Sequence, residues 1–149
     1  MATILVLSGP NLNLLGERQP EIYGTATLDD LIADIRAVAS AAGHDVEHLQ
    51  SNHEGELVDA VQSARGRCAA IIVNAGALTH YSYGLADALA TYDGVAVELH
   101  ISNPSAREEW RHVSVLAPVV TGTIAGFGRT GYRLAGEAVV AALNGTPTR

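Results

Sequence analysis

Glu98 and His100 stand two apart in the run VAVELHI. Alternate residues of an extended chain share a face, so this carboxyl and imidazole point the same way. A carboxylate beside an imidazole fixes its tautomer and favours its protonated form, which suits a general acid. The same pair would also suit an exposed polar strand face. Arg18 and Tyr23 lie five apart in GERQPEIYG. A phenol is a poor base at its ordinary pKa near 10. A guanidinium about 4 Å away would stabilise the phenolate by up to roughly 4 kcal/mol at an intermediate dielectric. The spacing allows that approach. It equally allows a tyrosine packed as a hydrophobic cap beside a solvated arginine.

Other polar groups gather where apolar runs end. Asn11 follows the first run, Asn74 the third, and Ser102 and Asn103 follow His100. Backbone N–H groups of the turn at Ser102-Asn103 can hold a carboxylate, and the Asn74 amide could join them. Ser and Asn also cap turns routinely. His80 could bind a hydroxyl or simply occupy a helix start. Asp87 interrupts the apolar stretch LADAL and should face solvent or an interface. Arg107 and Arg111 are four apart, a spacing that puts both on one helix face, where they could bind an anionic or polyhydroxylated ligand or stay solvated.

Two patterns mislead. Residues 126–131, GFGRTG, fit G-x-G-x-x-G, the spacing of a dinucleotide loop. They follow the last strand pattern, however, and no acidic residue is placed for a ribose. The six histidines include no H-E-x-x-H or similar metal spacing, so no metal is expected. Cys68 precedes an apolar run and reads as a small core residue.

The scaffold follows from periodicity. Apolar or alternating runs at residues 3–7, 44–49, 69–73, 95–101 and 119–125 read as strands. Helical spacing occupies residues 27–42, 55–65, 79–92, 105–113 and 132–143, and a long polar loop fills residues 11–26. Thr27 is an expected N-cap and Gly43 an expected stop. Five strands alternating with helices predict an α/β domain over residues 1–149: a flavodoxin-like three-layer fold with a five-stranded parallel sheet. In such sheets ligands bind at the carboxyl ends of the strands, where the polar residues above are concentrated.

Composition narrows the function classes. With 149 residues and 48% hydrophobic residues, the chain can bury a core without staples. A net charge of −7 provides no footprint for nucleic acid or an anionic membrane, yet permits a small anionic substrate beside local arginines. One cysteine excludes an internal disulfide. The start of the chain reads as a strand rather than a signal peptide, and no apolar run approaches the ~18 residues that span a bilayer. A cytoplasmic protein is expected.

Taken in order, SGPNLNLLGERQPEIYG, QSNHEGELVDAVQSA, VNAGALTHYSYGLADAL, VELHISN, REEWRHVS and TGTIAGFGRTGYRLA resemble the successive blocks of the type II 3-dehydroquinate dehydratases, from about Ile4 to Leu143. The resemblance implies a carbon–oxygen lyase of the shikimate pathway, converting 3-dehydroquinate to 3-dehydroshikimate through an enolate, with no cofactor. It implies Tyr23 as the base at C2, Arg18 beside it, and Asn11 stabilising the enolate through an ordered water. His100 is implied as the general acid at the C1 hydroxyl, oriented by Glu98. Asn74 with Ile101 and Ser102 resembles the carboxylate site, and His80 and Arg111 the ligands of the ring hydroxyls. Arg107 matches a basic position at the lid. Asp87 matches a residue that reaches a neighbouring subunit, in a family that forms homododecamers from trimers. The chain departs from the pattern at Ala75, where Pro is common, at Leu99 and Ile101, where other aliphatics stand, and at Tyr81 and Tyr83, where smaller residues are frequent. The competing expectations are a flavodoxin-like nucleotide- or flavin-binding module and a non-catalytic interaction protein.

Overall fold

A computed structural model of the chain describes residues 1–17 and 19–148, and of Tyr23 the backbone alone. The strands are β1 (Thr3–Ser8), β2 (Asp45–Gln50), β3 (Ala70–Asn74), β4 (Val95–His100) and β5 (Gly122–Ala125). They form one parallel sheet in the order β2-β1-β3-β4-β5. The helices are α1 (Pro20–Tyr23), α2 (Leu28–Ala41), α3 (Glu54–Ala64), α4 (Tyr83–Ala90) and α5 (Thr130–Leu143).

A parallel sheet must be covered on both faces, and β1 and β3 show it in their near-continuous aliphatic sequence. Ile4, Val6 and Ile72 pack with Leu31 and Ile35 of α2 and with Tyr132 and Val139 of α5. Leu5, Leu7, Ile71 and Val73 pack on the opposite face with Leu57 and Val61 of α3 and Leu85 and Leu89 of α4. At the start of α2, Thr27 and Asp30 exchange side-chain-to-backbone bonds in a capping box. Gly43, at φ 83°, ends the helix as expected.

Four sequence expectations change. The segment 79–92 is not one helix: a 3-10 turn (Gly76–His80) precedes α4, and the buried Ser82 hydroxyl accepts from Leu85 N to start a new helix. A capping hydroxyl offers the backbone an alternative to continuing the helix. The segment 105–113 is two separate 3-10 turns, Pro104–Ala106 and Glu109–Arg111, so Arg107 and Arg111 do not share a helix face. The last strand is shorter than 119–125, because residues Ala117–Val119 form a turn around Pro118, which lacks an N–H for the sheet. The polar loop at 11–26 contains the turn Leu12–Leu14 and the single-turn α1, which Pro20 opens.

The strand order reverses between β1 and β3, which is where open α/β sheets offer a crevice. Here the loops leaving the two strands touch backbone to backbone. Gly9 N donates to Asn74 O at 2.8 Å, and any Cβ on Gly9 would overlap the Ala75 carbonyl. Gly76, at φ 60°, would bring a Cβ to 3.0 Å from Pro10 O.

Candidate active site

At this switch point a cleft opens to solvent. Asn11, Asn74, His80, His100, Ile101, Ser102, Arg107 and Arg111 line it. Its lining of amide, imidazole, hydroxyl and guanidinium groups suits a small polar ligand.

The floor is built around Glu98. Its side chain is 1% exposed, so the alternative of an exposed polar strand face is overturned. Its oxygens accept from His100 Nε2 at 2.5 Å, Thr79 Oγ1 at 2.7 Å and Ser114 Oγ at 2.7 Å. Burial pushes the carboxyl up, but these three hydrogen bonds outweigh it and hold Glu98 below the usual glutamate range. A carboxylate only accepts, so His100 carries its proton on Nε2 and presents Nδ1 as the nitrogen left for a ligand.

His80 is held in the opposite sense. Its Nδ1 lies 2.8 Å from the Val113 carbonyl, which can only accept, so Nδ1 is the protonated nitrogen. Burial lowers the His80 pKa against the bond to Val113, and the neighbouring His100 and Arg111 lower it further, with Glu98 opposing them. His80 is therefore a neutral ring whose Nε2 lone pair can accept from a ligand hydroxyl. Trp110 packs edge-on against it, with ring centroids 5.4 Å apart. The Arg111 guanidinium stacks 4.0 Å from the centre of the same indole. At the rim Arg111 also donates to Glu108 at 3.0 Å, and Arg107 Nη1 donates to Ser102 Oγ at 3.4 Å.

The two asparagines are set by neighbours from other loops and from α5. Asn11 adopts φ 70°, a left-handed conformation that Asn tolerates better than most residues. Its N–H donates to Asn52 Oδ1 at 3.0 Å, and Gln50 Nε2 bonds both Asn52 Oδ1 and Gly9 O. Asn74 accepts from Gly76 N through Oδ1 and donates from Nδ2 to Tyr132 Oη at 3.0 Å. Burial pushes the Tyr132 phenol up to about 12, so it stays neutral. An amide nitrogen carries two protons, and the second remains for a ligand.

The GFGRTG segment binds protein rather than phosphate. Gly126 N donates to His100 O and Gly128 N to Ile101 O, clamping the turn that carries the cleft residues. Gly131 packs where a Cβ would stand 3.3 Å from Leu99 Cδ1.

A family model described as Dehydroquinase class II matches residues 2–140. The chain belongs to this family. It is similar to the 3-dehydroquinate dehydratase of Ruegeria pomeroyi, with 53% identity over 97% of each chain. It is 50% identical to that of Halalkalibacterium halodurans over 91% of this chain and 93% of the relative. Among solved structures it is similar to the type II dehydroquinase of Propionibacterium acnes, with a TM-score of 0.89 and 43% identity, covering 95% of this chain and 97% of the other. The flavodoxin-like fold expected from the sequence agrees with the sheet order and with these class II neighbours.

Of the residues expected from sequence, eight meet in the cleft: Asn11, Asn74, His80, His100, Ile101, Ser102, Arg107 and Arg111. Glu98 lies directly behind His100. Asp87 is exposed on α4 and does not line the cleft of its own chain. Arg18 and the Tyr23 side chain lie outside the described residues; the Tyr23 backbone ends α1. Sequence reasoning missed Thr79, Ser114, Asn52, Trp110 and Tyr132, which hold or flank the site residues. Their signal was present only as polar or aromatic letters inside blocks already singled out.

Proposed function

We propose that this chain dehydrates 3-dehydroquinate to 3-dehydroshikimate in the shikimate pathway. The observation that carries the reading is a dehydroquinase class II chain whose Glu98–His100 pair opens onto the same cleft as Asn11 and Asn74. A proton α to a ketone can be removed if the enolate charge is stabilised. In this reading Tyr23, as phenolate beside Arg18, takes the C2 proton, and the electron pair moves onto the carbonyl oxygen. Asn11 stabilises that enolate through an ordered water. The enolate then collapses to form the C1–C2 double bond while doubly protonated His100 gives its Nδ1 proton to the C1 hydroxyl, which leaves as water. Glu98 keeps the ring oriented.

Asn74 and the Ile101–Ser102 backbone hold the substrate carboxylate, and Arg111 and neutral His80 hold the ring hydroxyls. Arg107 adds positive charge at the rim. We infer further that Asp87 serves a neighbouring subunit in a homododecamer built from trimers, that residues 1–149 act as one catalytic domain without a cofactor, and that the protein works in the cytoplasm. Among the described residues no helix is long and apolar enough to cross a membrane.

The test is the absorbance of the conjugated enone formed from 3-dehydroquinate, comparing wild type with Tyr23→Phe. Wild-type turnover with a loss of about 10²–10⁴-fold in the variant is expected. Unchanged activity in the variant would remove Tyr23 as base. Borohydride added with substrate should not inactivate the enzyme, since the sequence contains no lysine to form a Schiff base.

A further inference from the structure

The Glu98 carboxylate is surrounded by donors whose directions are not free. Ser114 Oγ accepts from Leu116 N at 3.1 Å and from Ala117 N at 3.0 Å. Those two bonds occupy the lone pairs of the hydroxyl, so its single proton goes to Glu98, whose charged oxygens lie 2.7 and 2.9 Å away, nearer than the neutral Thr79 Oγ1 at 3.3 Å. Thr79 Oγ1, fully buried, donates to the same carboxylate at 2.7 Å. The segment 113–115 ties these groups together. Val113 O receives the His80 ring, Ser114 reaches Glu98, and Val115 N donates to Thr79 O at 2.8 Å.

We propose that Ser114, together with Thr79, is a positioning residue for the dehydration: its obligatory donor hydroxyl holds Glu98 as an oriented anion, and through Glu98 it keeps His100 protonated on Nε2 with Nδ1 directed to the leaving hydroxyl. The proposal rests on the dehydration reading above. It makes a hydroxyl two residues behind the reacting groups act on the acid step rather than on substrate binding.

A mutant cycle separates this role from simple turn capping. Ser114→Ala should lower kcat about tenfold or more while KM stays within about threefold, and Ser114→Thr, which keeps a hydroxyl, should recover most of the loss. In a Glu98→Gln background Ser114→Ala should add less than about twofold, because the path through the carboxylate is already broken. Thr79→Val, which removes a donor to Glu98 without removing a backbone cap, should follow the same pattern, and it carries the test alone if Ser114→Ala does not fold. Imidazole ¹⁵N shifts of His100, read at a pH high enough that the ring carries a single proton, should show mixed tautomers in either the alanine or the valine variant and one tautomer in wild type. An equal kcat penalty with and without Glu98, or an unchanged kcat, would overturn the proposal. A wild-type chain that leaves 3-dehydroquinate unconverted would sink the dehydration reading and this proposal together.

Discussion

Glu98 on the floor of the cleft and Glu108 on its rim are both held below the usual glutamate range, by unlike means. Glu98 is buried and is kept ionised by His100, Thr79 and Ser114 against the desolvation that pushes it up. Glu108 has a half-exposed side chain and is lowered first by its bond to Arg111, then by its own backbone amide. On the floor, every donor is fixed by a second bond or by packing. At the rim, long arginine side chains lie near a carboxylate that water also reaches. The first arrangement holds one tautomer of one ring. The second keeps two largely covered guanidinium groups at the mouth of the cleft, beside a half-exposed carboxylate. Because the Glu108 side of these pairs is half exposed, solvent screens them and their contribution to stability is small.

His100→Ala should break the contrast most severely, with kcat down by about 10²–10⁴-fold and KM changed far less. A variant that raised KM alone would place His100 among the binding groups instead. Glu98→Gln should follow, with kcat down by about 10²-fold and a visible change in acid stability. Because the folded pKa of Glu98 is depressed, its contribution to folding is present above the unfolded carboxylate pKa of about 4.3 and is lost as pH falls through the folded value. Thermal melts of wild type should therefore fall more steeply below about pH 4.3 than those of the glutamine variant. Parallel curves would show that the carboxylate is not held as described.

Arg111→Met should act mainly on binding, with KM up about tenfold and kcat within about threefold, since a charge-assisted contact to a hydroxyl or to Glu108 is lost while the floor is untouched. A large fall in kcat would move Arg111 from rim to chemistry. The smallest effect belongs to Glu108→Gln: a melting temperature within about two degrees of wild type and a KM within about twofold, measured at two salt concentrations. A loss comparable to that of Glu98→Gln would erase the distinction between the two carboxylates.

The order of strands and helices was legible because the aliphatic runs at Ile4–Leu7 and Ile71–Val73 have the signature of strands buried on both faces. The failures share a cause. The break before α4 and the two turns that replace a helix at 105–113 are set by side-chain bonds and by Pro104, not by hydrophobic spacing. Arg107 and Arg111 reach the cleft all the same, by a route that helical periodicity does not describe. Glu98 and His100 were readable as a pair from their spacing of two, but their burial was not, because an alternating polar pair looks the same inside and outside. Ser114 was invisible for a further reason: its role depends on backbone amides two and three residues on, and any serine in a turn has that sequence appearance.

The contact between Gly9 and Ala75 joins the loops that carry Asn11 and Asn74 into a single seam. In the proposed reaction one loop serves the developing negative oxygen and the other the substrate carboxylate. With no space for a side chain between them, neither can shift without pushing its neighbour. Redesigning this enzyme for a bulkier or shorter ring would thus require both loops to be rebuilt as one unit, and substitutions confined to either would be expected to spoil the geometry at the opposite end of the molecule it grips.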